Sequence, residues 1–278
     1  MSHPYFFISG ENISGSKIEI LGDDLKHLSQ VLRAKPGDKV EVSDNCRYRY
    51  STEIIEIKKS SAQLKILNKS EITKSQIEIT LFQSILKRSS MELVIQKAAE
   101  IGLNEVVPVK SVRIAVPEIK DDKKLLRWQK IALEASKQSK RNFKCEVLNE
   151  LNLNDIDPGK FDVFYLPYEE IEPEEIKKIN IADSLRKILE GKRKAKKTMS
   201  VFSGSEDCPE NIKLNSFKTT DIKIGFIIGP EGGFEESEVH FLAQKGAVIL
   251  SLGSNILKAE TAAVFMSSVI KYILEIYC

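Results

Sequence analysis

The chain has 278 residues, 42% of them hydrophobic and 29% charged, with a net charge of +2. That length suits two domains, each able to bury a core, and no apolar run reaches the ~20 residues that a membrane span requires. Cys46, Cys145, Cys208 and Cys278 are far apart with no CxxC, and the opening MSHPYFFISG has no basic segment ahead of an apolar one. These features argue against a metal site and a signal peptide, and for a cytoplasmic protein with reduced thiols.

In chain order, "YFFIS", "SKIEIL", "DKVEVSD", "YRYSTEIIEI" and "SAQLKILN" are short β-rich runs separated by turn residues. Among them, "DDLKHLSQVLRAKPGD" predicts a helix capped by Asp23 or Asp24, with Leu25, Leu28, Val31 and Leu32 on one stripe. Residues 1–72 therefore predict a small β-barrel, with 67–76 as the linker to a second domain at 73–278. From Ile77 strands and helices alternate. "IEITLFQSI" is a strand, and "SSMELVIQKAAEIG" a helix capped by Ser89 or Ser90 and closed by Gly102. The strand "LNEVVPVKS" and a long helix at 121–139 follow, then strands in "DVFYLPYEE", "DIKIGFIIGPEGG" and "AVILSLGSNILKAE", and a closing helix "TAAVFMSSVIKYILEIY". Near-continuous apolar strands such as "IGFII" indicate a parallel sheet covered on both faces, an α/β class. Residues 184–220 are basic, polar and weakly periodic, and read as a surface insertion.

Charge is segregated: residues 120–144 hold nine Lys/Arg against three acids, while 146–184 hold eleven acids against three lysines. Composition alone assigns such runs to solvated faces, although a basic face also suits phosphate backbones. Three loops fall at the carboxyl ends of predicted strands, where ligands of open α/β sheets collect: "YLPYEE", "GPEGGF" and "LGSNILKAET". Gly229, Gly232 and Gly233 let backbone groups approach a ligand, and Pro230 stiffens the turn. The acids after Phe234 suit a helix N-terminus but repel added phosphate, favouring a nucleoside or cation over a polyphosphate. The alternative is a tight βα connection and nothing more. No GxxxxGK[ST] or GxGxxG occurs, which excludes a P-loop and leaves a dinucleotide site unsupported.

"IGPEGGF" followed by "LGSNILKAETAAV" resembles the closing signature of the RsmE family, the small-subunit rRNA uridine-N3 methyltransferases of the SPOUT class. The likeness extends to "HLSQVLRAKPGDKVEVSD", "SSMELVIQKAAEIGLNEVVPVKSVR" and "WQKIALEASKQSKRNF". Residues 184–220 stand outside it, and Ser254-Asn255 and Lys258-Ala259 depart from the family's usual Pro-Arg and Arg-Thr.

The resemblance implies a PUA-like β-barrel that binds RNA, followed by a SPOUT parallel sheet ending in a trefoil knot, with S-adenosyl-L-methionine as methyl donor and 16S rRNA of the small ribosomal subunit as partner. It also implies a homodimer. The expected donor-binding residues are Leu166, Tyr168, Ile228, Gly229, Pro230, Glu231, Gly232, Gly233, Leu252, Gly253, Ile256, Leu257, Lys258, Glu260, Thr261 and Ala262. Glu231 has two candidate jobs, holding backbone N–H groups of a neighbouring loop or favouring the sulfonium; the first is the commoner use of a loop carboxylate. Lys87, Arg88 and Arg113 follow strand ends and are the candidates for stabilising a uracil anion; no general base is assigned. Arg33, Lys137, Lys140, Arg141 and Lys144 are the expected phosphate contacts. A SPOUT enzyme acting on another RNA or on a ribose hydroxyl, and a non-catalytic RNA-binding protein, are the alternatives.

Overall fold

The computed structural model describes residues 3–114, 122–170, 180–202 and 222–277. The chain divides into two units, Met1–Ser75 with Leu133–Lys144, and Gln76–Ala132 with Cys145–Cys278.

The first unit is one six-stranded sheet of β1 (Tyr5–Phe7), β2 (Ile13–Ser14), β3 (Lys17–Ile20), β4 (Lys39–Ser43), β5 (Tyr48–Ile57) and β6 (Ala62–Glu71), in the order β1-β4-β5-β6-β3-β2. Among the described residues of this sheet, only β1 and β4 pair in parallel. Period-two alternation in β3 and β4 puts Ile18, Ile20, Val40 and Val42 inside, where they meet Phe6, Ile54 and Leu64. The polar tail of β6 is strand and pairs with Tyr48–Ser51 of β5, so the expected linker begins five residues too early. Its side chains are mostly exposed, which made it read as a loop.

The predicted helix at 23–34 is shorter and differently wound. The α-helical part, α1, spans Gly22–Lys26, and His27–Val31 continue as a π-turn in which the Leu32 N–H reaches back to the His27 carbonyl. The added residue per turn rotates the stripe, so Leu25 and Leu28 are buried while Val31 is 70% and Leu32 42% exposed. Leu21 stands at the N-cap without a side-chain bond, and Asp23 and Asp24 lie in the first turn instead of capping it.

Among the described residues of the second unit, seven strands form a wholly parallel sheet. They are β7 (Ile77–Ser84), β8 (Glu105–Lys110), β9 (Glu146–Val147), β10 (Leu151–Asn152), β11 (Val163–Pro167), β12 (Ile222–Ile228) and β13 (Val248–Leu250). The order is β10-β8-β7-β12-β11-β13, with β9 paired to β8. Its helices are α2 (Arg88–Ile101), α4 (Ile181–Phe202), α5 (Glu236–Gln244), α6 (Ala259–Tyr277) and the first part of α3 (Asp122–Gln138), whose residues from Leu133 belong to the first unit. The centre of the sheet is apolar along its length, with Leu81, Phe82, Val107, Phe164, Phe226 and Ile227 all buried, as expected for a sheet covered on both faces.

Two further details differ from expectation. Lys87, not Ser89 or Ser90, is the N-cap of α2, whereas Gly102 closes the helix in the left-handed region as predicted. The stretch read as an insertion from residue 184 begins inside α4. There Leu185 and Leu189, one turn apart, are buried, and the Tyr165 hydroxyl donates to Ser184 Oγ at 3.0 Å. The basic residues after Glu190 mask this narrow apolar stripe; residues 203–220 of the expected insertion lie outside the described residues.

Candidate active site

The turn after β12 is held to the ends of β7 and β8 by side chains contacting backbone. Glu231 accepts the Lys87 N–H at 3.1 Å and so satisfies the backbone donor of the residue at the N-cap of α2. Glu238, buried in the first turn of α5, accepts the N–H groups of Val112 and Glu235 at 2.9 Å each. Glu235 completes a capping box with it. Arg113 Nη1 donates to the Gly232 carbonyl at 3.4 Å, and its Nε lies 3.7 Å from Glu235.

The three glycines of this turn first serve the protein's own packing. A Cβ at Gly229 would lie 3.2 Å from the Phe234 ring, one at Gly232 3.3 Å from Arg113 Cβ, and one at Gly233 2.6 Å from Glu169 Oε1. Gly233 also has φ +70°, a region that L side chains avoid. The turn thus closes on its own Phe234 and against two other segments, at Arg113 and Glu169.

What it faces is a cavity of about 420 Å³, lined also by Pro167 and Tyr168 after β11 and by residues 251–260 after β13. Most of the expected donor-binding residues line it: Tyr168, Ile228, Gly229, Pro230, Glu231, Gly233, Leu252, Gly253, Ile256, Leu257, Lys258, Glu260 and Ala262. Leu166, Gly232 and Thr261 do not. Leu166 is fully buried in the core beside Phe164 and Ile227, and the cavity wall begins one residue later, at Pro167. Gly232 packs on Arg113, and Thr261 is exposed. Lining residues that sequence reasoning missed include Ser90, Glu169, Phe234, Ser251, Ser254 and Asn255. Glu169, Phe234, Ser254 and Asn255 lie inside the three predicted loops and Ser251 directly before the third, so the loops were found but these members were not singled out. Ser251 folds its loop back, its hydroxyl donating to the Gly253 carbonyl at 2.9 Å and accepting the Gly253 N–H at 3.2 Å.

Charge on the walls is mixed: Glu169, Glu231 and Glu260 face Lys87 and Lys258. The Tyr168 hydroxyl donates to Glu170 at 2.6 Å; that bond, with burial, pushes its pKa up to about 12, so it stays a donor at neutral pH. Of the three candidate electrophiles, only Lys87 lines the cavity. Arg113 stands beside Gly232, half exposed. Arg88 is turned to Glu92 at 3.1 Å, a carboxylate that Arg127 also grips through two bonds.

The expected phosphate contacts separate. Arg33 and Lys144 are exposed, Arg141 is half buried, and Lys140 lies 3.4 Å from Glu41. Lys137 does not reach the surface. Its side chain is 6% exposed, with the ammonium 2.6 Å from Asp24 and 2.9 Å from Glu134. Burial works against its charge, but those two bonds outweigh it and raise the pKa. Among the described residues no cluster of His, Cys, Asp and Glu could hold a metal ion, and no helix is long and apolar enough to cross a membrane.

Comparison with known proteins bears on this cavity. The RNA methyltransferase domain family matches residues 73–208 and 172–271, and the RNA methyltransferase PUA domain matches residues 20–67. Ribosomal RNA small subunit methyltransferase E 2 of Borreliella burgdorferi is 29% identical over 90% of this chain and 89% of its own. The methyltransferase E of Bacillus subtilis is 24% identical over 92% and 90%. A crystal structure of ribosomal RNA small subunit methyltransferase E from Neisseria gonorrhoeae bound to S-adenosyl methionine superposes with a TM-score of 0.72. It has 25% identity and covers 98% of each chain. This chain belongs to the RsmE family of RNA methyltransferases. Within the RsmE fold, the cavity at the carboxyl edge of the second unit is where a ligand of an open parallel sheet is expected.

Proposed function

We propose that the protein transfers a methyl group from S-adenosylmethionine to N3 of a uridine in small-subunit (16S) rRNA. The observation that carries this reading is the cavity closed by three successive strand-end loops in a chain of RNA methyltransferase ancestry. Its size, glycine-rich wall and mixed charge suit a nucleoside bearing both a cation and an amino-acid end. Residues 228–231, 233, 252–253 and 256–258 would hold that molecule through backbone and short side chains. When bound, S-adenosylmethionine supplies an electrophilic methyl group.

The protein's own part is charge and position. The imide N3–H of uracil must lose its proton for attack, and the anion spreads onto the ring oxygens. Lys87, whose backbone Glu231 fixes at the cavity wall, presents its ammonium to that charge; Arg113 is the second cation near the turn. Arg88, committed to Glu92, is not assigned this role. The target base enters by leaving its stack. Arg33, Lys140, Arg141 and Lys144 of the first unit contact phosphates, and Lys137 is omitted.

The remaining family traits are part of the same reading: strand-end loops threaded as a trefoil knot, a cytoplasmic location, and a homodimer. Phe265, Tyr272 and Ile276 of α6 support the dimer, being 44%, 67% and 57% exposed at helical spacing. Residues 1–72, joined in the first unit by Leu133–Lys144, act as the RNA-binding domain and the rest of 73–278 as the catalytic one.

Calorimetric titration with S-adenosylmethionine tests the cavity, and mass spectrometry of rRNA from a deletion strain tests the reaction. Loss of N3-methyluridine from the small-subunit rRNA is expected. Retention of the full modification would rule out the assignment.

A further inference from the structure

We propose that Gln83 is a positioning residue for the methyl donor, a buried amide that fixes the backbone carbonyls from which the donor-binding turn departs. The inference rests on the donor-binding reading above. Gln83 is the penultimate residue of β7, in register with Ile228 of β12, and is 0% exposed. Its sheet neighbours Phe82, Ile227 and Ile228 are buried apolar residues. An amide there is therefore an exception that packing does not call for.

Three carbonyl oxygens surround its nitrogen. Nε2 donates to the Ser84 carbonyl at 3.0 Å and to those of Ile228 and Gly229 at 3.4 Å each. Carbonyls cannot donate, so this environment fixes which end of the amide is the NH₂. At the other end, Oε1 is buried without a partner among the described residues. A methionine of the same length would remove the orphaned Oε1 but would also take the donor from three carbonyls, so what the glutamine gains lies in those carbonyls.

The contacts made by Nε2 supply the account. Ile228 and Gly229 both line the cavity, and Gly229 lacks the side chain that would restrict its own peptide planes. Gln83 holds those planes from below, and Pro230 restrains the next residue. Each carbonyl keeps a second lone pair, so the amide orients the groups without using up their capacity for a ligand N–H. Preorganisation of this kind appears in binding, because a turn already ordered loses less entropy when the ligand arrives.

The test compares Gln83→Met with Gln83 and with a Ser84→Ala control, whose buried hydroxyl also lacks a partner among the described residues. S-Adenosylhomocysteine is titrated calorimetrically, the free proteins are melted, and initial rates are taken across donor concentration. Gln83→Met is expected to weaken S-adenosylhomocysteine by up to about tenfold and raise the donor KM alike, the effect of one neutral hydrogen-bond donor. Its kcat at saturating donor should stay near wild type, its free-protein melting point should fall by no more than one lost hydrogen bond explains, and Ser84→Ala should bind normally. A purely structural role would lower the melting point and leave the donor Kd unchanged, and that result overturns the proposal. Should Gln83→Met fail to fold, Gln83→Asn, a buried amide one methylene shorter, carries the same comparison with the same two outcomes. If the wild-type protein does not bind S-adenosylhomocysteine, it is the donor-binding reading that fails.

Discussion

Replacing Lys137 with methionine separates a structural cation from an RNA contact. The substitution keeps most of the side-chain volume but removes an ammonium that lies 2.6 Å from Asp24 and 2.9 Å from Glu134. The lysine side chain is 6% exposed, but the two carboxylates are 24% and 43% exposed, so water recovers part of their solvation once the lysine is gone. Removing one member of a fully buried pair costs about 3–5 kcal/mol, and partial exposure of the acceptors brings this to about 2 kcal/mol. For a unit of this size that is roughly a 10 °C fall in melting temperature. Urea titration and thermal melting measure the loss. Binding of an rRNA fragment, followed from low to high salt, should show an unchanged slope, because no phosphate contact has been removed. A variant that melts like wild type, and whose log–log salt slope shrinks by about 0.7–0.9, would refute the reasoning and restore Lys137 to the interface.

Three other outcomes follow from the geometry. Gly233→Ala must accept φ +70° and a Cβ 2.6 Å from Glu169 Oε1, so donor affinity measured calorimetrically should fall, and Glu169→Ala added to it should recover only the steric part. Lys87→Met should slow single-turnover methyl transfer by roughly 10²–10³-fold while leaving S-adenosylhomocysteine affinity nearly intact; equal loss of both would assign the lysine to binding instead of charge stabilisation. Burial opposes ionisation of Asp44, yet the N–H groups of Tyr48, Arg47 and Cys46 and the Tyr50 hydroxyl hold its carboxyl below the usual range. Its contribution is thus complete above the unfolded carboxyl pKa of about 3.9 and is lost as pH falls through the lower folded value, so Asp44→Asn should flatten the acid limb of a melting-temperature-versus-pH curve.

What could be read from sequence is what repeats or punctuates. The apolar runs of β7, β8, β11 and β12 announced a buried parallel sheet, and Gly102 marked the end of α2. The strand-end loops supplied most of the cavity wall, since carboxyl-end position and glycine content are local properties. Features set by distant partners were not legible. Lys137 stands in a basic run and meets Asp24 only after folding. Leu166 is buried in one cluster with Ile227, Val239 and Leu242, neighbours that only the fold brings to it. The π-turn at His27–Val31 changes a stripe that a fixed 3.6 period predicts, and Leu185 and Leu189 were too few to stand out beneath their basic neighbours. Gln83 looked like an ordinary polar residue near a strand end; its three carbonyl partners come from its own strand end and from β12.

The middle position of β12 in the second sheet sets a timetable for synthesis. Ile77–Ser84 leaves the ribosome early, but the strand that completes its inner edge ends at Ile228. At about 5–20 residues per second, that edge waits on the order of ten seconds without its partner. During that interval a nascent chain carries an open, largely apolar strand, the kind of surface that other chains extend. Premature termination anywhere before Ile222 leaves the gap permanent, so shortened products of this gene should be recovered in the insoluble fraction or bound to chaperones.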